Sequence, residues 1–133
     1  MLKRVCKHLP HVFLILLITA AAVYAQQGPQ GRWWRSPKVV KQLNLTNAEI
    51  QRLEEAFNQS RLKMIELKSQ IKAEQFKLKT LLEKRNLDEA AVKAQNRKLE
   101  QARTALANER TAFVLDVRKI IGHQRFQQLL DMR

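Results

Sequence analysis

From Ile50 onward, apolar residues return every three or four positions. The two core positions of a heptad read Ile50, Leu53, Phe57, Ser60, Met64, Leu67, Ile71, Glu74, Leu78 and Leu81, eight of the ten apolar. That spacing places one apolar seam on one face of an α-helix. Leu45-Thr46-Asn47-Ala48-Glu49 opens the helix. Thr46 can cap the first free amides and Glu49, three residues on, can reach back, which is a capping box. No Gly or Pro follows until past Leu87, so the pattern predicts a helix about 60 Å long at ~1.5 Å per residue. Asn86-Leu87-Asp88-Glu89 interrupts it and reads as a turn. A second period, Val92, Leu99, Leu106, Phe113 and Ile120, predicts another helix from about Glu89 to Ile121. Ala102 fills one intermediate position, and Gln95, Glu109 and Asp116 the others. Two long helices joined by a short turn lie antiparallel.

The flanks are shorter elements. Ser36-Pro37 opens a brief helix through Val39, Val40 and Leu43, with proline at a permitted first-turn position. Gly122 ends the second long helix, and His123 to Met132 form a last short one with Phe126, Leu129 and Leu130 inward. Ala112, Phe113, Val114, Leu115, Val117, Ile120 and Ile121 leave the end of the second long helix little polar face, which predicts cover on several sides. The expected fold is therefore all-α: a long antiparallel helical hairpin with short flanking helices. A lone hairpin has little core, so a homodimer is expected.

The N-terminus reads differently. Lys3, Arg4 and Lys7 precede an apolar run from Val12 to Val23, and Val23-Tyr24-Ala25 is a small-residue cleavage site. That is the pattern of a signal peptide over residues 1–25, cleaved after Ala25, and the run is too short for a membrane-spanning helix. Residues 26–37 are rich in Gln, Gly and Pro and read as a flexible arm. The helical domain occupies 38–133. The arm carries Arg32-Trp33-Trp34-Arg35. Such rings offer large apolar area, so the arm is expected to fold back onto its own bundle.

Charge bears on partners. The 133-residue chain carries +13, falling to about +10 once Lys3, Arg4 and Lys7 leave. Export turns the expectation away from nucleic acid and towards acidic polypeptides, envelope proteins or anionic surfaces. A second, weaker stripe lies off the main seam: Leu62, Ile65 and Phe76, with Ser69 and Lys72 at the intervening spacings. Arg61, Lys63, Lys68, Lys77 and Lys79 surround it. Apolar groups ringed by cations can hold unfolded chain, and the same residues can equally serve a dimer interface. The candidate client-binding set is Leu62, Ile65, Phe76, Arg61, Lys68, Lys72 and Lys79.

Catalytic chemistry is thin. The only cysteine, Cys6, and two histidines, His8 and His11, lie in the signal segment, which leaves His123. His123 has no serine near it for a triad, and a Gly-rich phosphate loop is absent. Carboxylates such as Glu54, near Asn58 and Arg61, or Glu83 near Arg85, read as solvated faces. No enzyme and no cofactor are expected. His123, with Asp131 and Met132, is the one weak metal candidate, against sites that want several imidazole or thiolate ligands.

An exported, basic, all-helical chain with Leu45-Thr46-Asn47-Ala48-Glu49 opening its long helix resembles the Spy/CpxP family of periplasmic proteins, which has zinc-resistance-associated and heavy-metal-sensor relatives. That family is marked by two LTxxQ motifs. Here the first spans Leu45, Thr46 and Glu49, with glutamate for the glutamine. The second falls at Ile121-Gly122-His123-Gln124-Arg125 and is degenerate at Ile121, Gly122 and Arg125. The resemblance implies a periplasmic, antiparallel, cradle-shaped dimer. It also implies an ATP-independent chaperone for unfolded proteins or an envelope-stress adaptor that restrains a sensor protein. Two alternatives stand beside it: a heavy-metal sensor or resistance protein, and a structural coiled-coil module docking on an anionic envelope surface.

Overall fold

In a computed structural model the described residues are 31–132. The proposed signal peptide and most of the arm lie outside them. Trp34–Met132 form one compact unit. The helical elements of the described residues are a 3-10 turn (Trp33–Arg35), α1 (Pro37–Gln42), α2 (Asn47–Leu82) and α3 (Glu89–Asp131). Every element among the described residues is helical, as expected.

Helix α2 begins where its capping box sits. The Glu49 amide donates to Thr46 Oγ1 at 3.2 Å, and the Thr46 amide donates to Glu49 Oε2 at 3.0 Å. The helix ends at Leu82, earlier than the expected turn at Asn86. The seam explains this: the position after Leu81 in the heptad is Arg85, so nothing apolar remains to hold another turn against the partner helix. Asp88 caps α3 by accepting from the Ala91 amide at 2.9 Å. Pro37 occupies the first turn of α1.

The two long helices pack on each other and run antiparallel. Partners descend on one helix as they ascend on the other: Phe57 meets Phe113, Lys63 reaches Glu109, and Glu74 meets Gln95. Between Arg61 and Leu82 the only residues not exposed are Met64, Leu67, Ile71, Glu74, Leu78 and Leu81, which are the heptad positions. On α3 the seam holds through Leu99, Ala102 and Leu106, then shifts. Asp116 is exposed and Val117 is buried in its place. A straight α-helix drifts ~20° per heptad against a strict sevenfold repeat, so three heptads beyond Gln95 the buried face has moved on by one residue.

Gly122 interrupts α3 with φ 80° and ψ 171°, a conformation only glycine adopts without strain. Residues 123–131 then form the expected short terminal helix. Phe126 and Leu129 are half-buried there, while Leu130 is exposed. Cover over the preceding segment is also narrower than expected. Val117 and Ile121 are buried, but Val114 and Leu115 are 49% and 52% exposed, so within this chain one side is packed.

The core gathers at the end of the hairpin away from its turn. Trp34, Leu43, Leu53 and Ile121 are almost wholly inaccessible there. Trp34 folds onto the hairpin, edge-on to Phe57 at 5.5 Å and tilted against Phe113 at 6.4 Å. Its Nε1 donates to Glu54 Oε2 at 2.8 Å, and Arg35 donates to both oxygens of the same carboxylate. Glu54 therefore anchors the chain preceding α1 and is not the solvated residue its neighbours Asn58 and Arg61 imply. Glu83 pairs loosely with Lys79 at 3.6 Å, not with Arg85.

Nearer the turn the seam turns polar. Gln95 Nε2 donates to the Glu74 side chain and, at 3.1 Å, to the Glu74 carbonyl, and Lys77 Nζ donates to Glu74 Oε1 at 2.9 Å. The Gln95 and Lys77 hydrogen bonds hold the Glu74 carboxyl below its ordinary range. Gln95→Leu is expected to release it upward, towards the ordinary carboxylate value. An NMR titration of the Glu74 side chain checks this, and an unmoved titration would detach Gln95 from that carboxylate.

Candidate functional site

At about 100° per residue, Leu62, Ile65, Ser69, Lys72 and Phe76 share one face of α2, roughly opposite the seam that packs on α3. The exposures agree: Leu62 65%, Ile65 54% and Phe76 70%. The stripe is about 21 Å long from Leu62 to Phe76. Side chains this large and this bare usually mark a contact surface when they share a face.

The cations around the stripe divide in two. Lys63 lies 3.9 Å from Glu109, and Lys77 bonds Glu74, so both are drawn towards the hairpin. They are not part of the ring the sequence suggests. Arg61, Lys68, Lys72 and Lys79 remain exposed beside the stripe. Among the described residues, Arg61, Lys68 and Lys72 have no acidic partner within ion-pair distance, and Lys79 has only its exposed pair with Glu83. A shallow open groove runs from Phe76 past Thr80 towards Leu81 and Gln95.

The two motif segments meet at the other end of the hairpin. Leu45 and Ile121 are buried. Arg125 Nη1 donates to Glu49 Oε2 at 2.8 Å, and Nη2 donates to Glu49 Oε1, a bidentate pair. Arg125 Nε also donates to the Ile121 carbonyl at 2.8 Å. That oxygen immediately precedes the glycine break. Chiefly through the Arg125 hydrogen bond, the Glu49 carboxyl is lowered from 4.5 to about 2, and the Arg125 guanidinium is correspondingly raised. The final residues of the two motifs, glutamate and arginine where the pattern has glutamine twice, are thus complementary and in contact. The sequence shows both departures. It does not show that they touch.

The match to a family model decides the affiliation. The model described as heavy-metal resistance covers residues 12–128. The chain belongs to the heavy-metal resistance family, which is related to the Spy/CpxP-like helical periplasmic proteins. Comparisons with curated proteins and with solved structures return no match. The family name raises a metal, and the described residues do not fit one. His123 and Asp131 are exposed, and among the described residues no three His, Cys, Asp or Glu cluster as ligands. Cys6, His8 and His11 lie outside them. Among the described residues, too, no helix is long and apolar enough to cross a membrane.

Proposed function

We propose that this member of the heavy-metal resistance family is an exported, periplasmic binding protein. It holds unfolded or partner envelope proteins on the outer face of α2 without ATP, as a chaperone or envelope-stress adaptor. The observation that supports this most is the stripe itself: three large apolar side chains, each more than half exposed, beside Arg61, Lys68 and Lys72, which no acidic residue of the described chain neutralises. Covering such side chains contributes roughly 1–2 kcal/mol each. The contacts are non-directional and suit varied clients, and the charges speed encounter with acidic segments.

The test is suppression of aggregation of a denatured model client at equimolar protein, with and without zinc. Suppression indifferent to zinc is expected. Phe76→Glu should weaken it several-fold while leaving helicity unchanged and stability within about 0.5 kcal/mol, since the side chain is exposed. Full suppression by that variant would remove the stripe from the mechanism. Activity only with zinc would favour a metal-handling protein. No suppression at all would leave docking on a sensor protein or an anionic surface.

A further inference from the structure

The stripe has a period of its own. Leu62, Ile65, Ser69, Lys72 and Phe76 are spaced three, four, three and four residues apart, which is the spacing of a second coiled-coil seam on the back of α2. Its charges are not symmetrical. On a helical wheel Arg61, Lys68, Lys72 and Lys79 fall along one edge of that seam, at intervals of seven, four and seven. The opposite edge carries Leu62, Ser69, Ala73 and Thr80, with Glu66 further round.

We propose that this face docks an amphipathic helix of a partner protein, in coiled-coil register, with acidic residues along the edge that meets Arg61, Lys68, Lys72 and Lys79. The inference rests on the reading of this face as a binding surface and names what binds there. A helix is favoured over a membrane because Ser69 and Lys72 lie within the apolar line. A bilayer wants that line continuous, whereas a coiled coil accepts a polar core residue and uses it to fix register. One-edged charge is also what pairing across a helix interface reads.

A second copy fits poorly. Antiparallel pairing of this face with itself sets the cationic edge against the same cationic edge. Parallel pairing sets it against an edge whose one acid between Arg61 and Lys79 is Glu66. Neither neutralises the row, and the whole chain is already strongly basic.

The probes are two fluorescent peptides of about three heptads, with the same leucine seam and the same number of glutamates. One carries the glutamates on the complementary edge and the other on the opposite edge. Binding to the purified protein is read by anisotropy, and the gain of helix by circular dichroism. The complementary-edge peptide should bind at least about tenfold more tightly and gain helix. Phe76→Glu should abolish binding, and Lys68→Glu with Lys72→Glu should reverse the edge preference. Equal binding of the two peptides, or binding of neither, overturns the proposal. So does preference for phosphatidylglycerol–phosphatidylcholine vesicles over both peptides, or a protein dimer that Phe76→Glu dissolves. Client protection that depends on Phe76 but shows no edge preference would defeat only this inference. Protection indifferent to Phe76 would defeat the binding surface itself.

Discussion

Trp34→Ala is expected to lower stability by about 3–5 kcal/mol, the range for removing a large aromatic from a packed core. In a domain of this size that is a fall in melting temperature of more than about 10 °C. Trp34 is 1% exposed and stands between Phe57 of α2 and Phe113 of α3, so its ring closes the end of the hairpin that no turn connects. Its Nε1 also satisfies Glu54. Trp34→Phe separates the two contributions. It keeps most of the apolar area and loses the hydrogen bond, while Arg35 still neutralises the carboxylate. A smaller loss, about 1–2 kcal/mol, is expected there. Urea unfolding followed by circular dichroism measures both. A loss under about 1 kcal/mol for Trp34→Ala would mean that the hairpin closes without this residue.

The same region shows what a sequence pattern can and cannot carry. Periodicity is local, and the seam from Ile50 to Leu81 is legible because each position is set by its distance from the last. The exposure of Leu62, Ile65 and Phe76 follows from the same wheel. Asp116 escapes because a strict sevenfold repeat accumulates angular error along a straight helix. The end of α2 at Leu82 escapes because it depends on where apolar support on α2 runs out. Long-range charge pairing is the least legible. With 25 basic and 12 acidic residues, spacing along one helix cannot show that Glu54 belongs to Trp34 and Arg35 across the fold. Glu74 and Gln95 carried one usable signal: they are the polar breaks in their two seams and stand at similar distances from the turn. The candidate site was therefore readable as a face, while the separation of its cations into paired and unpaired ones was not.

The Glu49–Arg125 pair carries the second large effect, and its sign is set by pH. Glu49 has a carboxyl lowered from 4.5 to about 2 in the folded chain. A depressed folded value stabilises the protein above the unfolded value, and the gain is lost as pH falls through the folded one. Stability from this pair is therefore complete above about pH 4.5 and disappears between there and about pH 2. Its size is about 2–3 kcal/mol, after allowance for the partial exposure of Arg125. Arg125→Gln should cost about that much at neutral pH and much less at pH 2, where Glu49 is already about half protonated in the wild-type protein and almost wholly so in the variant. Glu49→Gln keeps the capping box, since glutamine serves there as glutamate does, so it removes the charge without removing the cap. The double variant then places an uncharged amide at each motif position and leaves no buried charge unpaired. It should be more stable at neutral pH than Arg125→Gln alone. A double-mutant cycle in urea at neutral pH and again near pH 2 isolates the coupling. A coupling energy that does not shrink with acid would mean that the two motif segments are held by the packing of Leu45 and Ile121 rather than by the ion pair.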